Sequence, residues 1–234
     1  MPHRFYLPEL SETGIATLEG LEAHHLIHVL RAKAGEAVEL FNGSGLVATA
    51  EIMVVRKRDA ELRILDARRD PAPSRQVILG TAVPKGDRFD WLIEKATELG
   101  VARLIPLVTS RSIVDPRDSK LDKLRQTVIA ACKQSGRNHL MEVSPVTAWS
   151  DFCQREFPNH SSFIAHPHPG ASTISVSLVV DHSRIVFAVG PEGGFTDDEV
   201  ALAVKCGATP ISLGPHILRI ETAGLALAAC AAAM

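Results

Sequence analysis

The chain has few cysteines. Four occur among its 234 residues, Cys132, Cys153, Cys206 and Cys230. They form no CxxC pair, and no histidine stands near them at metal-ligand spacing. That excludes a disulfide framework and a structural zinc site and points to a reducing cytoplasm. No basic-then-apolar signal pattern opens the sequence. No apolar run reaches the ~20 residues that span a bilayer. The final stretch from Ala223 to Met234 is almost entirely small and apolar, and reads as a helix buried all round, in a core or a subunit interface. Internal repeats are absent, and so are the GxxxxGK[ST] and GxGxxG phosphate loops.

Charge of one sign is lacking too. Overall the chain carries a net charge of −2, which excludes a uniformly basic nucleic-acid binder, but the distribution is uneven. Residues 1–70 hold 9 Lys+Arg against 11 Asp+Glu, residues 71–150 hold 12 against 8, and residues 151–234 hold 4 against 8. The middle segment is therefore basic and the last acidic. A solvated helix face accounts for such a segment as well as a partner does.

Two patterns of periodicity follow one another. Over residues 1–70, apolar runs at 38–41 and 46–52 flank Asn42-Gly43-Ser44-Gly45, which reads as a β-hairpin. A third strand is expected at 61–65 and a short helix at 22–30. Residues 68–74, Arg-Arg-Asp-Pro-Ala-Pro-Ser, are polar and proline-rich and read as a linker. Beyond it strands alternate with helices: strands at 76–83, 104–108, 163–165, 185–189 and 211–213, helices at 87–99 and 120–134. That order predicts an α/β domain with a parallel sheet.

Two glycine-marked turns stand at the ends of the last two strands. One is Gly190-Pro191-Glu192-Gly193-Gly194-Phe195; the other is Leu213-Gly214-Pro215-His216-Ile217-Leu218-Arg219. Open α/β sheets bind ligands at this end, and such loops can hold a flat polar cofactor through main-chain groups. Turn glycines with positive φ are the simpler structural account of each loop. Thr196-Asp197-Asp198-Glu199 is a capping box and starts a helix; its acids argue against a phosphate there. Lys85-Gly86-Asp87-Arg88 and Lys133-Gln134-Ser135-Gly136-Arg137-Asn138 carry groups that suit phosphate or base edges, and suit helix termini equally. Arg219 and Glu221 follow the second loop, as a salt bridge or as reacting groups. His24, His25 and His28 read as helix-surface histidines. His166 to Pro169 reads as a proline-stiffened loop. No metal site is expected.

These motifs, in their order and spacing, resemble the RsmE-type family of 16S ribosomal RNA uridine N3-methyltransferases, a branch of the SPOUT methyltransferases. The match rests on Lys85-Gly86-Asp87-Arg88 with Glu94 to Gly100, Gln134 to Arg137, Gly190 to Gly194, and Leu213-Gly214 with Ile217-Leu218-Arg219 and Glu221-Thr222-Ala223. Arg4-Phe5-Tyr6 and His25 with Val29-Leu30-Arg31 fit as well. The resemblance implies an N-terminal PUA-like β-barrel domain (1–70), a linker (71–75), and a C-terminal SPOUT α/β domain (76–234) with a deep trefoil knot. It implies S-adenosylmethionine held by His166, Gly190, Pro191, Glu192, Gly193, Gly194, Leu213, Gly214, Ile217 and Leu218. Arg219 and Glu221 would be catalytic. Arg4, Arg31, Lys85, Arg88, Gln134, Arg137 and His216 would contact RNA. The partners implied are 16S ribosomal RNA or the small ribosomal subunit and a second copy of the chain, with no membrane. His216 stands where the family commonly has Arg, and an imidazole is a weak cation at neutral pH. Another SPOUT reaction, such as ribose 2′-O methylation, and a non-catalytic RNA-binding relative remain open at this stage.

Overall fold

A computed structural model describes residues 3–113, 121–166, 172–173 and 183–233. The chain divides into two compact units, Met1–Ala72 with Cys132–Leu140, and Pro73–Ala131 with Met141–Met234. The division falls inside one helix.

The first unit is a five-stranded sheet in the order β1-β3-β4-β5-β2. Its strands are β1 (Arg4–Tyr6), β2 (Ile15–Leu18), β3 (Ala37–Phe41), β4 (Leu46–Val55) and β5 (Ala60–Arg69). β1 and β3 run parallel and the other pairs antiparallel. The β3–β4 hairpin forms at the Asn42–Gly45 turn, where Gly43 and Gly45 have φ of +77° and +97°. Register shifts between β4 and β5 at Thr49/Ala50 and Ile52/Val54 mark bulges, which sharpen the twist of a sheet. The expected helix is a short α1 (Gly20–His24) continued by a π-helical turn, His25–Val29. Phe5, Leu18, Leu26, Leu40, Ile52 and Leu62 close the core.

Arg4 does not face solvent. Its side chain is 8% exposed and ion-paired to Glu39 at 2.6 Å. It donates to the Cys132 carbonyl at 2.8 Å and to Asn138 Oδ1, and its guanidinium sits 4.7 Å over the Phe41 ring. Lys133 donates to Glu22 at 2.8 Å, and Asn138 also donates to Asp70. The Asn138 hydrogen bond in turn holds the Asp70 carboxyl below its usual range. These partners already occupy the Arg4 guanidinium expected to contact RNA. Its cation is already neutralised and desolvated, which leaves little charge for a phosphate.

The second unit is an eight-stranded parallel sheet: β11-β13-β10-β12-β6-β7-β8, with β9 also on β7. The strands are β6 (Gln76–Ala82), β7 (Arg103–Val108), β8 (Glu142–Val143), β9 (Thr147–Ala148), β10 (Ser161–Ala165), β11 (Ser172–Thr173), β12 (Arg184–Val189) and β13 (Thr209–Ser212). The helices are α2 (Arg88–Glu98), α3 (Leu121–Ser135), α4 (Trp149–Glu156), α5 (Asp197–Lys205) and α6 (Ile220–Ala232). Both faces of the sheet are covered, as parallel sheets require. Successive residues of β6 serve opposite sides. Ile78 joins the cluster of Trp149, Phe152, Phe157 and Phe195 beneath α4 and α5. Leu79 meets Gly224 of α6, where an added Cβ would lie 3.3 Å from Leu79 and 3.4 Å from Leu92 of α2. That glycine lets α6 seat closely against β6, β12 and α2. α6 is buried on one face only, with Thr222 and Ala229 exposed, so it is not buried all round within this chain. Lys120, Pro167 to Pro169 and Met234, which entered the sequence readings, lie outside the described residues. Among the described residues no helix is long and apolar enough to cross a membrane.

Candidate functional site

The strand order decides the site. β10 lies between β12 and β13, and all three run parallel. Their carboxyl ends therefore open on one side, and both glycine loops with His166 come together there. They wall a cavity of about 430 Å³, within the usual size range for a small-molecule site. His166 is tied in by its N–H, which donates to the Ile211 carbonyl at 3.0 Å. All ten residues expected to hold a cofactor line this cavity.

The glycines act in two ways. Gly194 and Gly214 have φ of +70° and +113°, the backbone freedom foreseen from sequence. Gly190 and Gly193 are not at positive φ. They permit close approach instead: a Cβ on Gly190 would lie 2.9 Å from the Phe195 ring, and one on Gly193 would lie 3.3 Å from Arg111. Arg111 is a site residue that sequence reasoning missed. It follows β7, lines the cavity, and donates to the Gly193 carbonyl at 2.6 Å. Nothing local marks it, because β7 reaches the loop only through the sheet order.

The first loop is braced from below. Thr196 and Glu199 form the expected capping box, with Glu199 Oε2 accepting from the Thr196 N–H at 2.8 Å. Glu199 Oε1 also accepts from the Ser110 N–H at 2.7 Å. Burial alone would raise this carboxyl, but the two backbone donors hold it below its ordinary range. In the second loop, Ser212 Oγ donates to the Gly214 carbonyl at 3.2 Å.

Arg219 stands at the N-cap position of α6, makes no side-chain capping bond, and is exposed on the rim of the cavity. Among the described residues its side chain has no ion pair. Among the described residues no Arg219–Glu221 salt bridge forms; Glu221 pairs with Arg88 instead. Arg88 lies 3.5 Å from Glu221 Oε1 and 3.5 Å from Glu192 Oε1, and its Nε donates to the Lys85 carbonyl at 3.1 Å. One guanidinium so links β6's loop to the first glycine loop and to the first turn of α6. Glu221 is 5% exposed, and its Oε2 is buried with no partner among the described residues. Of the remaining residues expected to contact RNA, Arg31, Lys85, Gln134 and His216 are exposed and Arg137 is half-buried. Burial pushes the Arg137 guanidinium down from its usual range. Arg31 holds a positive φ of +54°. Among the described residues no three metal-binding side chains cluster.

Family models agree with this geometry. An RNA methyltransferase domain matches residues 70–232 and an RNA methyltransferase PUA domain matches residues 18–65. Ribosomal RNA small subunit methyltransferase E of Synechocystis is 32% identical, over 92% of this chain and 72% of that protein. Its counterpart in Bacillus subtilis is 31% identical, over 93% and 89%. The chain belongs to the ribosomal RNA small subunit methyltransferase E family. Solved structures share the fold across both units. The Neisseria gonorrhoeae enzyme bound to S-adenosylmethionine is 36% identical with a TM-score of 0.88, covering 98% of this chain and 96% of that one. A putative methyltransferase from Legionella pneumophila, in complex with the same cofactor, is 31% identical with a TM-score of 0.89, over 100% and 98%.

The donor set of this cavity fits that cofactor. Val189, Ile211, Leu213, Leu218 and Ala223 give apolar walls, and the two loops supply main-chain groups beside Glu192.

Proposed function

We propose that this protein transfers the methyl group of S-adenosylmethionine to N3 of a uridine in 16S ribosomal RNA of the small subunit. The observation that carries the reading is the meeting of both glycine loops and His166 over the ends of three adjacent parallel strands. The bound cofactor supplies an electrophilic methyl on a sulfonium. The residues expected at the cofactor, His166, Gly190 to Gly194, Leu213, Gly214, Ile217 and Leu218, hold and desolvate it through backbone groups and apolar walls. The protein's own work is then positioning and charge stabilisation.

For N3 to attack, its proton must leave and the negative charge on the ring must be met. Glu221 is suited to the first task. One oxygen lies 3.5 Å from Arg88, and the other is a buried acceptor with no partner among the described residues, a rare state in folded proteins. Arg219, exposed on the rim and free of an ion pair among the described residues, is suited to the second. Arg31, Lys85, Gln134 and His216 present exposed groups to the RNA backbone, and such contacts weaken with salt. The first unit, about residues 1–70, serves RNA binding, and residues 76–234 serve methyl transfer. In the same reading the chain is knotted: α6 returns from β13 past β10 to pack on β12 and β6, the crossing that a threaded C-terminal segment needs. The working state is a homodimer in the cytoplasm, where ribosomal subunits are.

The test is incubation of the protein with labelled S-adenosylmethionine and small subunits lacking the modification, followed by nucleoside mass spectrometry. 3-Methyluridine is expected, with Arg219→Ala slowing its formation by about 100-fold, in the range for loss of one charge-stabilising donor. A ribose-methylated product, or cofactor binding with no product, refutes the reading. An Arg219→Ala variant of normal rate removes that residue's role.

A further inference from the structure

Beside the cofactor cavity runs an open groove of about 710 Å³, walled by Trp91, Arg88, Glu221 and the segment Ile217–Arg219. Ile217, Leu218 and Arg219 wall both spaces, so whatever lies in the groove adjoins the cofactor. Trp91 does not belong to the buried face of its helix. Helix α2 buries Phe89, Leu92, Ile93 and Ala96 on its inner face, while Trp91 is 45% exposed. The chain has two tryptophans, and the other, Trp149, is 5% exposed and packed on Phe195 with ring centroids 4.5 Å apart.

We infer that Trp91 is the stacking platform for the target base, and that the groove takes one extruded nucleotide of RNA. This rests on the reading of the protein as a uridine methyltransferase. Three features select that occupant. An exposed indole offers a flat face that binds any base by stacking. Arg219, free of an ion pair among the described residues, puts a positive charge on the groove wall, suited to a phosphate or a ring anion. Glu221 on the groove wall is a hydrogen-bond acceptor, matched to a donor such as a ring N–H or a ribose hydroxyl, which a phosphate diester does not present. A base inside a duplex cannot reach the cofactor, so the nucleotide enters unpaired or flipped. Trp91 then fixes the plane of the ring, and the wall shared with the cavity sets its distance from the methyl.

The placement of the two indoles gives the test. A short RNA with unpaired uridines is titrated into the protein saturated with S-adenosylmethionine. Tryptophan emission and RNA anisotropy are followed together. Quenching is expected in the wild type and absent in Trp91→Phe, where only Trp149 reports. Trp91→Ala should lower kcat/KM for RNA by about 10- to 100-fold with unchanged affinity for the cofactor. Trp91→Phe, which keeps a stacking face, should lose less. RNA that binds by anisotropy without quenching, or a Trp91→Ala variant with wild-type kinetics, overturns the inference. So does a wild-type dimer that Trp91→Ala converts to monomer, since the groove would then be covered by a second copy. The two readings fail separately. Quenching without any methylated uridine keeps the stacking site and removes the reaction. Product formation indifferent to Trp91 does the reverse.

Discussion

Replacing Gly190 by alanine should cost both stability and cofactor affinity, through one ring. The new methyl would lie 2.9 Å from Phe195 Cε2 and 3.0 Å from Cδ2, well inside ordinary contact. Phe195 has nowhere to retreat: it is 3% exposed and its centroid sits 4.5 Å from that of Trp149. Overpacking of this kind costs about 1–3 kcal/mol, or roughly 2–12 °C in the unfolding midpoint for a unit of this size. If the loop yields instead, Gly190 and Pro191 move at the cofactor wall, and about 1.4 kcal/mol of lost contact is a tenfold weaker Kd. Calorimetric unfolding and titration with S-adenosylmethionine read the two effects. Two controls separate mechanism from mere disturbance. Gly194→Ala meets nothing within 4 Å but stands at φ +70°, so its cost, about 1 kcal/mol or more, is backbone strain alone. Adding Phe195→Leu to Gly190→Ala should recover part of the loss, because it removes the ring that clashes. A Gly190→Ala protein with wild-type midpoint and wild-type Kd would refute the reasoning.

Two further predictions follow from the ion pairs and caps around the loops. Arg88→Ala leaves Glu221 buried without its cation; a fully buried pair would cost about 3–5 kcal/mol to break. Arg88 is one-third exposed and 3.5 Å away, so roughly 1–3 kcal/mol is expected in urea unfolding. The double variant with Glu221→Gln should be more stable than Arg88→Ala alone; a less stable double variant contradicts the pairing. Glu199→Gln should be destabilising by about 1–3 kcal/mol at neutral pH, since it weakens hydrogen bonds to a charged acceptor. Its folded carboxyl is held below the ordinary range, so its contribution is present above the unfolded value near ~4.3 and is lost as pH falls through the folded value. Thermal midpoints of the two proteins should therefore differ most above about pH 5 and converge toward acid. A gap that widened in acid would reverse the assignment.

The sequence by itself determined most of the elements. Apolar periodicity placed α2 and β6, β7, β10, β12 and β13 to within a few residues, because each buries a continuous stripe or run. It marked the β3–β4 hairpin by Asn-Gly and the α5 start by its capping box, since both are local hydrogen-bond solutions. The short strands β8, β9 and β11 and helix α4 were not foreseen; strands of two residues carry no period to read. What only the tertiary structure decided is which side chains meet. That Gly190 makes room for Phe195 rather than adopting positive φ depends on a ring packed from α4's side of the sheet. That Arg88 reaches Glu221, and that Arg111 clasps Gly193, depends on β6 lying between β12 and β7 although β12 follows them by about 80 to 110 residues in the chain. Arg4, a cation read as facing RNA, is closed inside the first unit by Glu39 and Asn138. Their approach is set by β1–β3 pairing and by a segment some 130 residues later. Local pattern reports how a residue relates to its own helix or strand. Pairing across a sheet is long-range, and here it assembles the site.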